Sequence, residues 1–305
     1  MKNILLTGGT GLIGSFLAQK LKSLGHKVFI LTREPKKVNS FPAFYWDIKK
    51  GVIQQGVFNK VQIIIHLAGA NISEHRWTTK YKKEIYDSRV RGSALIAEAL
   101  SKNRHSVEQF ISASAIGYYG TYNSNNVFTE KDPPGKDFLA RVVIDWEAEV
   151  LKIARLGIKT TILRTGVVLS PYGGIIKKLY PFGKYYLLAV PGNGRQIIPW
   201  IHIADLAGIY QFVMDNQIEG IFNAVSPEVT TFSRFIDVFL ANLGRKRILP
   251  NIPSFLLKLI FGEQASLLLY GSAVSPQKII DKGYQFQFPD IQQALYDIVI
   301  NLKRK

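Results

Sequence analysis

Over the first half of the chain, short apolar runs alternate with longer stretches whose apolar positions recur at helical spacing. Residues 3–6, 27–32, 63–67, 109–112 and 159–164 read as strands, and 12–24, 81–100 and 138–154 as the amphipathic helices between them. Strands that alternate with helices of this length form βαβ units, which give a parallel sheet with right-handed crossovers. The pattern predicts an α/β fold, a doubly wound parallel sheet with helices on its faces.

After Pro171 the pattern changes. Helical segments such as 203–215, 232–243 and 253–269 dominate, joined by Gly- and Pro-rich stretches, and a short strand at 221–224 rejoins the main sheet. The domain reading is therefore 1–170, with 199–226 rejoining it, followed by a smaller, mostly helical C-terminal substrate or cap region made of 171–198 and 227–305. No internal repeat or low-complexity tract interrupts this, and Lys303 to Lys305 read as a frayed basic end.

The 305 residues suit one large domain or two smaller ones. With 47% hydrophobic residues the chain can bury a sizeable core. It has no cysteine, which excludes disulfides, thiolate metal sites and a cysteine nucleophile, and fits a reducing cytoplasm. The apolar run after Met1 stops at Thr7 and Gly8, too short for a signal sequence, and the apolar stretch 252–261 carries Pro253 and Lys258 and falls short of a membrane span. The expectation is a cytoplasmic protein without a membrane partner. The net charge of +17 raises the question of polyanions, but the lysines are scattered, with no basic stripe interleaved with aromatics, so nucleic acid is not expected.

The first strand runs into Thr7-Gly8-Gly9-Thr10-Gly11-Leu12-Ile13-Gly14, which opens the first helix. Gly8 permits the tight turn, Gly11 lets the backbone approach a pyrophosphate, and Gly14 lets helix and strand pack closely. Free N–H groups at the helix start then face the diphosphate. Such spacing is weak alone, but between a strand and a helix it reads as a Rossmann-type dinucleotide site. The second strand ends Leu31-Thr32-Arg33. An NAD site would carry an acidic residue there for the ribose hydroxyls, whereas the Arg33 guanidinium suits a 2′-phosphate. Lys36 and Lys37 follow closely, and the cofactor expected is NADP(H).

His66-Leu67-Ala68-Gly69 and Ser112-Ala113-Ser114 close two further strands, and together with the glycine loop they resemble the extended short-chain dehydrogenase/reductase superfamily. More narrowly, the chain resembles an NAD(P)-dependent epimerase branch with an uncharacterised C-terminal domain. That likeness rests on Arg76-Trp77-Thr78, Asp87-Ser88-Arg89-Val90, SASAIGYYG at 112–120, Phe128-Thr129-Glu130, Asp137-Phe138-Leu139-Ala140, Trp146-Glu147, LRTGVVL at 163–169, Gly194-Arg195-Gln196 and Trp200-Ile201-His202. The resemblance implies that Asp47, after the third strand, bonds the adenine and that Leu67, Ala68 and Gly69 line the adenosine. It puts Arg89 near the cofactor, where many relatives have asparagine, and Thr165 and Gly166 near the nicotinamide.

The superfamily reaction uses a Tyr-x-x-x-Lys pair on a helix, with a serine to orient the substrate oxygen. Ser114 fits the serine position. Counting from Trp146-Glu147, the tyrosine position falls on Leu139 and the lysine position on Val143, and neither can move a proton. Tyr118, on the loop after Ser114, is the candidate replacement acid, though a tyrosine in an apolar loop is also at home as packing; Lys136 and Asp137 precede the helix and could face the same cleft. Arg76, Trp77, Arg195, Gln196 and His202 are the candidate substrate contacts, and no metal-ligand spacing is present. The function expected is an NADP(H)-dependent oxidoreductase or epimerase acting on a small carbonyl or hydroxyl substrate. The alternative is a non-catalytic NADP(H)-binding redox sensor. The chain could also pair with a copy of itself.

Overall fold

Ile4, Leu5 and Leu6, the first apolar run, are fully buried in the middle of β1 (Asn3–Thr7). The computed structural model describes residues 1–303, so Arg304 and Lys305 of the expected frayed end lie outside the described residues. The chain divides into two compact units.

The first unit comprises Met1–Tyr118, Phe138–Arg164 and Ala207–Phe222. After β1 come α1 (Leu12–Ser23), β2 (Lys27–Thr32), β3 (Ala43–Asp47), β4 (Val52–Ile53), β5 (Ile63–His66), α2 (Thr79–Lys102), β6 (Gln109–Ala115), α3 (Phe138–Ala154) and β7 (Lys159–Thr165). The eight-stranded sheet runs β10-β7-β6-β5-β1-β2-β3-β4, where β10 is Gly220–Ala224. The strands from β3 through β2, β1 and β5 to β6 pair in parallel, and β4 adds an antiparallel edge. From β1 the chain winds first toward β3 and later from β5 toward β7, so the topology switches between β1 and β5. In open α/β sheets ligands sit outside the carboxyl ends of the strands at such a point. The expected doubly wound α/β fold is observed.

Helix α3 shows why the pattern was readable. Leu139, Val142, Val143, Trp146, Val150 and Ile153 recur at three- and four-residue steps, and all are buried. Glu147 is buried on the same face, an anomaly that the site explains.

The second unit comprises Tyr119–Asp137, Thr165–Leu206 and the chain from Asn223 onward. It holds β8 (Val167–Ser170), α4 (Gly174–Lys184), β9 (Trp200–His202), α6 (Phe232–Asn242), α7 (Ser254–Phe261), α8 (Ser266–Leu269), α9 (Gln277–Asp281) and α10 (Ile291–Lys303), while α5 (Ile203–Asp215) begins here and continues into the first unit. Strands β8 and β9 pair in parallel. Trp200, Phe235, Phe239 and Leu295 anchor a second core, and the Trp200 Nε1 donates to Thr230 Oγ1 at 3.1 Å. The helix expected over 253–269 is broken. Gly262, at φ +60, ends α7, and a short 3-10 turn precedes α8. An apolar run on both sides of a glycine hides a break that only left-handed backbone makes. Among the described residues no helix is long and apolar enough to cross a membrane.

Candidate functional site

The glycine loop is built by backbone approach. A Cβ on Gly14 would lie 2.2 Å from the Gly8 carbonyl oxygen and 2.7 Å from the Gly9 Cα. Gly8 sits at φ +66, and a Cβ there would lie 2.9 Å from the backbone of Leu67 and Ala68. The loop is closed by Gly11 N–H donating to the Gly8 carbonyl at 3.0 Å. Gly11 also caps α1 without any side-chain hydrogen bond to its first turn. Thr10 and Gly11 are exposed, with Leu12 and Ile13 half-buried beside them. This is a backbone cradle at a helix start, the geometry that takes a phosphate.

Behind the loop lies a polar relay that the sequence reading missed. The Thr7 hydroxyl accepts from Leu67 N–H and Ala68 N–H, both at 3.1 Å, so its own hydrogen goes to His66 Nδ1 at 2.7 Å. That leaves the imidazole proton on Nε2, facing Ser93 Oγ at 3.1 Å. Thr7, His66 and Ser93 are all completely buried. Burial pushes His66 down to about 3, so the ring is neutral. The relay holds Leu67 and Ala68 against the glycine loop. Because the unfolded chain takes up this proton near pH 6.5 and the folded chain does not, stability is full above pH 6.5 and lost as pH falls toward 3. One proton corresponds to about 1.4 kcal/mol per pH unit. In urea unfolding between pH 6.5 and 4.5, His66→Gln is expected to be less stable overall but to have a shallower pH slope by up to that amount. An unchanged slope would mean the imidazole charges inside the fold.

Arg33 is exposed just beyond β2. The Asp47 carboxylate accepts from Lys49 N–H at 2.9 Å and Lys50 N–H at 3.2 Å. Desolvation would raise its pKa, but these backbone bonds, the Lys50 charge and the Tyr45 hydroxyl together outweigh it and hold the group below the usual range. The half-buried Arg89 donates to the Ile85 carbonyl at 3.2 Å and lies over the Trp146 ring at 5.5 Å; burial lowers it to about 10, so it stays charged. Its guanidinium closes on Gly69, where a Cβ would meet it at 3.1 Å. Trp77 is held by a 2.8 Å bond from Nε1 to the Ile72 carbonyl and by an edge contact with Phe138, and the neighbouring Arg76 is exposed.

The two residues expected to do chemistry fall in one cluster. Ser114 Oγ donates to Glu147 Oε1 at 2.6 Å. Arg164 grips the same carboxylate with both prongs, Nε to Oε1 and Nη2 to Oε2, each at 2.8 Å. The guanidinium carbon lies 3.3 Å from the centre of the Tyr118 ring. Leu139 and Val143, at the vacated tyrosine and lysine positions, pack toward Gly117 in the same turn. Glu147 and Arg164 entered the sequence reading only as parts of motifs. A carboxylate on the apolar face of α3 and an arginine in a buried strand were the available signal, since buried charges need partners.

In the second unit, Thr165 is half-buried, and a Cβ on Gly166 would lie 2.6 Å from the Pro199 carbonyl oxygen. Tyr119 stacks on Phe128 and donates to Asn223 Oδ1 at 2.7 Å. His202 is buried with Nδ1 accepting from Ala204 N–H at 3.2 Å and Nε2 lying 3.3 Å from Asp297. Burial lowers its pKa against the pull of Asp297 and Asp205. Gln196 spends its amide hydrogens on the Pro191 and Leu268 carbonyls at 2.9 and 2.7 Å. Both Gln196 and Arg195 line a cavity of about 410 Å³ with Asn123, Ser124 and Asn193. Among the described residues no group of His, Asp and Glu gathers to hold a metal.

A parallel sheet that switches direction beside a glycine cradle defines a Rossmann-type dinucleotide-binding fold. Comparison with known proteins takes this further: the chain belongs to the NAD dependent epimerase/dehydratase family, whose description matches residues 4–224. Residues 252–298 match a domain of unknown function, DUF1731. The epimerase family protein SDR39U1 of Mus musculus is 34% identical over 302 residues, covering 97% of this chain and 99% of its own. The epimerase family protein YfhF of Bacillus subtilis is 31% identical over 305 residues, covering 99% of each. The crystal structure of human SDR39U1 (isoform 2) with NADPH superposes with a TM-score of 0.88 at 32% identity, over 98% of this chain and all of the other. The resemblance read from the motifs is confirmed.

Proposed function

We propose that the chain binds NADP(H) at the Gly8–Gly14 loop and works as an oxidoreductase or epimerase on a small carbonyl or hydroxyl substrate. The observation that carries this is the backbone cradle, where Gly8 and Gly14 have no room for a Cβ and the first turn of α1 is uncapped. The NADPH in the human relative's structure supports the same choice of cofactor. In this reading Gly8, Thr10, Gly11, Leu12, Ile13 and Gly14 hold the pyrophosphate through the backbone. Arg33 meets the 2′-phosphate, and Asp47, Leu67, Ala68, Gly69 and Arg89 frame the adenosine side. Thr165 and Gly166 are assigned to the nicotinamide on family resemblance alone. Arg76, Trp77, Arg195, Gln196 and His202 remain the proposed substrate contacts. A cytoplasmic location belongs to the same reading.

A bound nicotinamide supplies hydride transfer. The chain's own part is to move a proton at the substrate oxygen, and Tyr118 is the group proposed for it. Arg164 under its face fixes the ring. Ser114 gives its hydrogen to Glu147, so what it offers a substrate is an acceptor lone pair. With a panel of carbonyl compounds followed by NADPH absorbance, Tyr118→Phe is expected to lower turnover by 10²-fold or more. Unchanged turnover would remove Tyr118 from the mechanism.

The cofactor assignment has its own test. Charge-assisted bonds are worth about 1.5–3 kcal/mol, so Arg33→Asp is expected to weaken NADPH binding by roughly tenfold to a hundredfold, with NADH binding little changed. Equal affinity of the unaltered chain for NADH and NADPH would sink the assignment.

One observation favours a second reading, a redox-sensing NADP(H) binder without turnover: Leu139 and Val143 make an apolar contact where the superfamily's proton relay would be. Hydride transfer to any small molecule at an enzyme-like rate rules that reading out.

A further inference from the structure

Nearly half of the large apolar side chains exposed among the described residues fall in two short segments of the second unit, 182–187 and 248–261. Helix α7 is the centre of this surface. Leu257 is its buried side chain, while Phe255 and Leu259 are each 73% exposed and Ile260 is 53% exposed. A helix turned this way leaves most of its apolar surface in water, which small soluble domains avoid unless something covers it.

The stretches flanking these two segments are joined to one another. Ile252 N–H donates to the Val190 carbonyl at 2.8 Å, and Gly192 N–H returns to the Ile252 carbonyl at 2.9 Å. Arg245 bonds the Lys184 carbonyl at 3.4 Å and lies 4.8 Å from the Tyr186 ring centre. Tyr186 is held at φ +61, a strained conformation for a residue with a side chain. The strain lies in a turn that presents Tyr185 and Leu187, 65% and 58% exposed.

The charge of this surface is mainly positive, with Asp237 and Glu263 at its edge. Residues 174–187 contain three lysines and no acidic residue, and residues 244–262 contain Arg245, Lys246, Arg247 and Lys258 and again no acidic residue. Lys177, Lys184, Lys246 and Lys258 are exposed. Arg247 is paired with Asp237 at 3.2 Å. Helix α7 itself carries Phe255, Leu259, Ile260 and one lysine, Lys258, while Tyr185, Tyr186 and the other basic residues come from the 174–187 and 245–247 stretches. Apolar side chains edged by tyrosines and lysines suit a bilayer interface. A second copy of this chain is the less fitting occupant, since an isologous contact would bring two patches of the same positive sign face to face.

We infer that α7 and the 182–187 turn form a docking surface for an anionic phospholipid bilayer, with the apolar side chains entering the interface and the lysines meeting the lipid phosphates. A helix of eight residues cannot cross a bilayer but can lie in its surface. This is independent of the cofactor site.

The test is co-sedimentation of the full chain with vesicles of phosphatidylcholine alone or with one-third phosphatidylglycerol, at low and high salt. The expected result is binding to the anionic vesicles that weakens at high salt, with little binding to phosphatidylcholine. Phe255→Ser with Leu259→Ser, and separately Lys246→Glu with Lys258→Glu, are each expected to lower binding at least tenfold while thermal stability stays within a few degrees of the unaltered chain. Lys20→Glu with Lys22→Glu, on α1, removes the same charge elsewhere and is expected to leave binding nearly intact. Absence of binding to anionic vesicles, or an equal loss from the α1 pair, overturns the proposal. So does a dimer in sedimentation equilibrium that Phe255→Ser with Leu259→Ser dissociates, which would give the surface to a second copy.

Discussion

Gly14→Ala is expected to weaken NADPH binding by about 10²-fold and to destabilise the fold, whereas Gly11→Ala is expected to weaken binding with little loss of stability. The difference comes from what each new methyl group meets. At Gly14 it would sit 2.2 Å from the Gly8 oxygen and 2.7 Å from the Gly9 Cα, both backbone atoms. The loop cannot yield, because Gly8 is itself pressed against the backbone of Leu67 and Ala68, and the Thr7–His66 relay fixes those two residues in turn. Either α1 shifts by an ångström or more or the loop opens, and either one misaligns the N–H groups meant for the pyrophosphate. A shift of this size costs about 10²-fold where alignment matters, and overpacking costs about 1–3 kcal/mol of stability. At Gly11 the nearest atom is the Gly8 oxygen at 3.3 Å, so the fold tolerates the methyl group. That methyl group would stand where the phosphate must approach. Isothermal titration with NADPH, paired with urea unfolding of the free protein, separates the two effects. If Gly14→Ala bound NADPH within tenfold of the unaltered chain, the cradle would not be the binding site.

The features legible in the sequence are those whose signal is local. Six buried apolar positions in α3 carry a helical period, and the reading recovers its bounds to the residue. The glycine loop is legible because its strand, spacing and helix follow one another without a break from Asn3 to Ser23. Strands β8 and β9, four and three residues long, are too short to show a period. Nor does the pattern single out β3, β4, α4 or α10. The helix expected over 253–269 fails at Gly262 because an apolar run does not record φ. The polar clusters were hidden for a different reason. Thr7 and His66 are 59 residues apart, His66 and Ser93 are 27 apart, Ser114 and Glu147 are 33 apart, and Glu147 and Arg164 are 17 apart. Nothing in the chain records that these residues meet until the sheet forms. Ser114 was recognised by its place after a strand, but its hydrogen-bond partner was not, and the partner decides what the hydroxyl can offer.

The same cluster gives the second large effect: Glu147→Ala is expected to cost about 3–5 kcal/mol of stability. Arg164 is 2% exposed and cannot give up its proton, so removing the carboxylate leaves a buried guanidinium without its counter-charge. The Ser114 hydroxyl loses its acceptor at the same stroke. Against a total stability of roughly 5–15 kcal/mol, this brings the chain near the unfolding threshold. Glu147→Gln keeps an oxygen for one of the donors and is expected to cost less. The informative variant is Glu147→Leu combined with Arg164→Met. Replacing a buried ion pair by apolar groups of similar size is often neutral or stabilising, so the double variant is expected to recover most of what Glu147→Ala loses. It would nonetheless remove the guanidinium that lies 3.3 Å under Tyr118 and the carboxylate that orients Ser114. A stable double variant with impaired turnover would mean that the pair is kept for positioning these two residues. A stable double variant with full turnover would confine the pair to folding and show that Ser114 and Tyr118 do not depend on it for position. If Glu147→Ala itself costs less than about 1 kcal/mol in urea unfolding, water must reach Arg164, and the cluster is open to solvent in a way its burial does not allow.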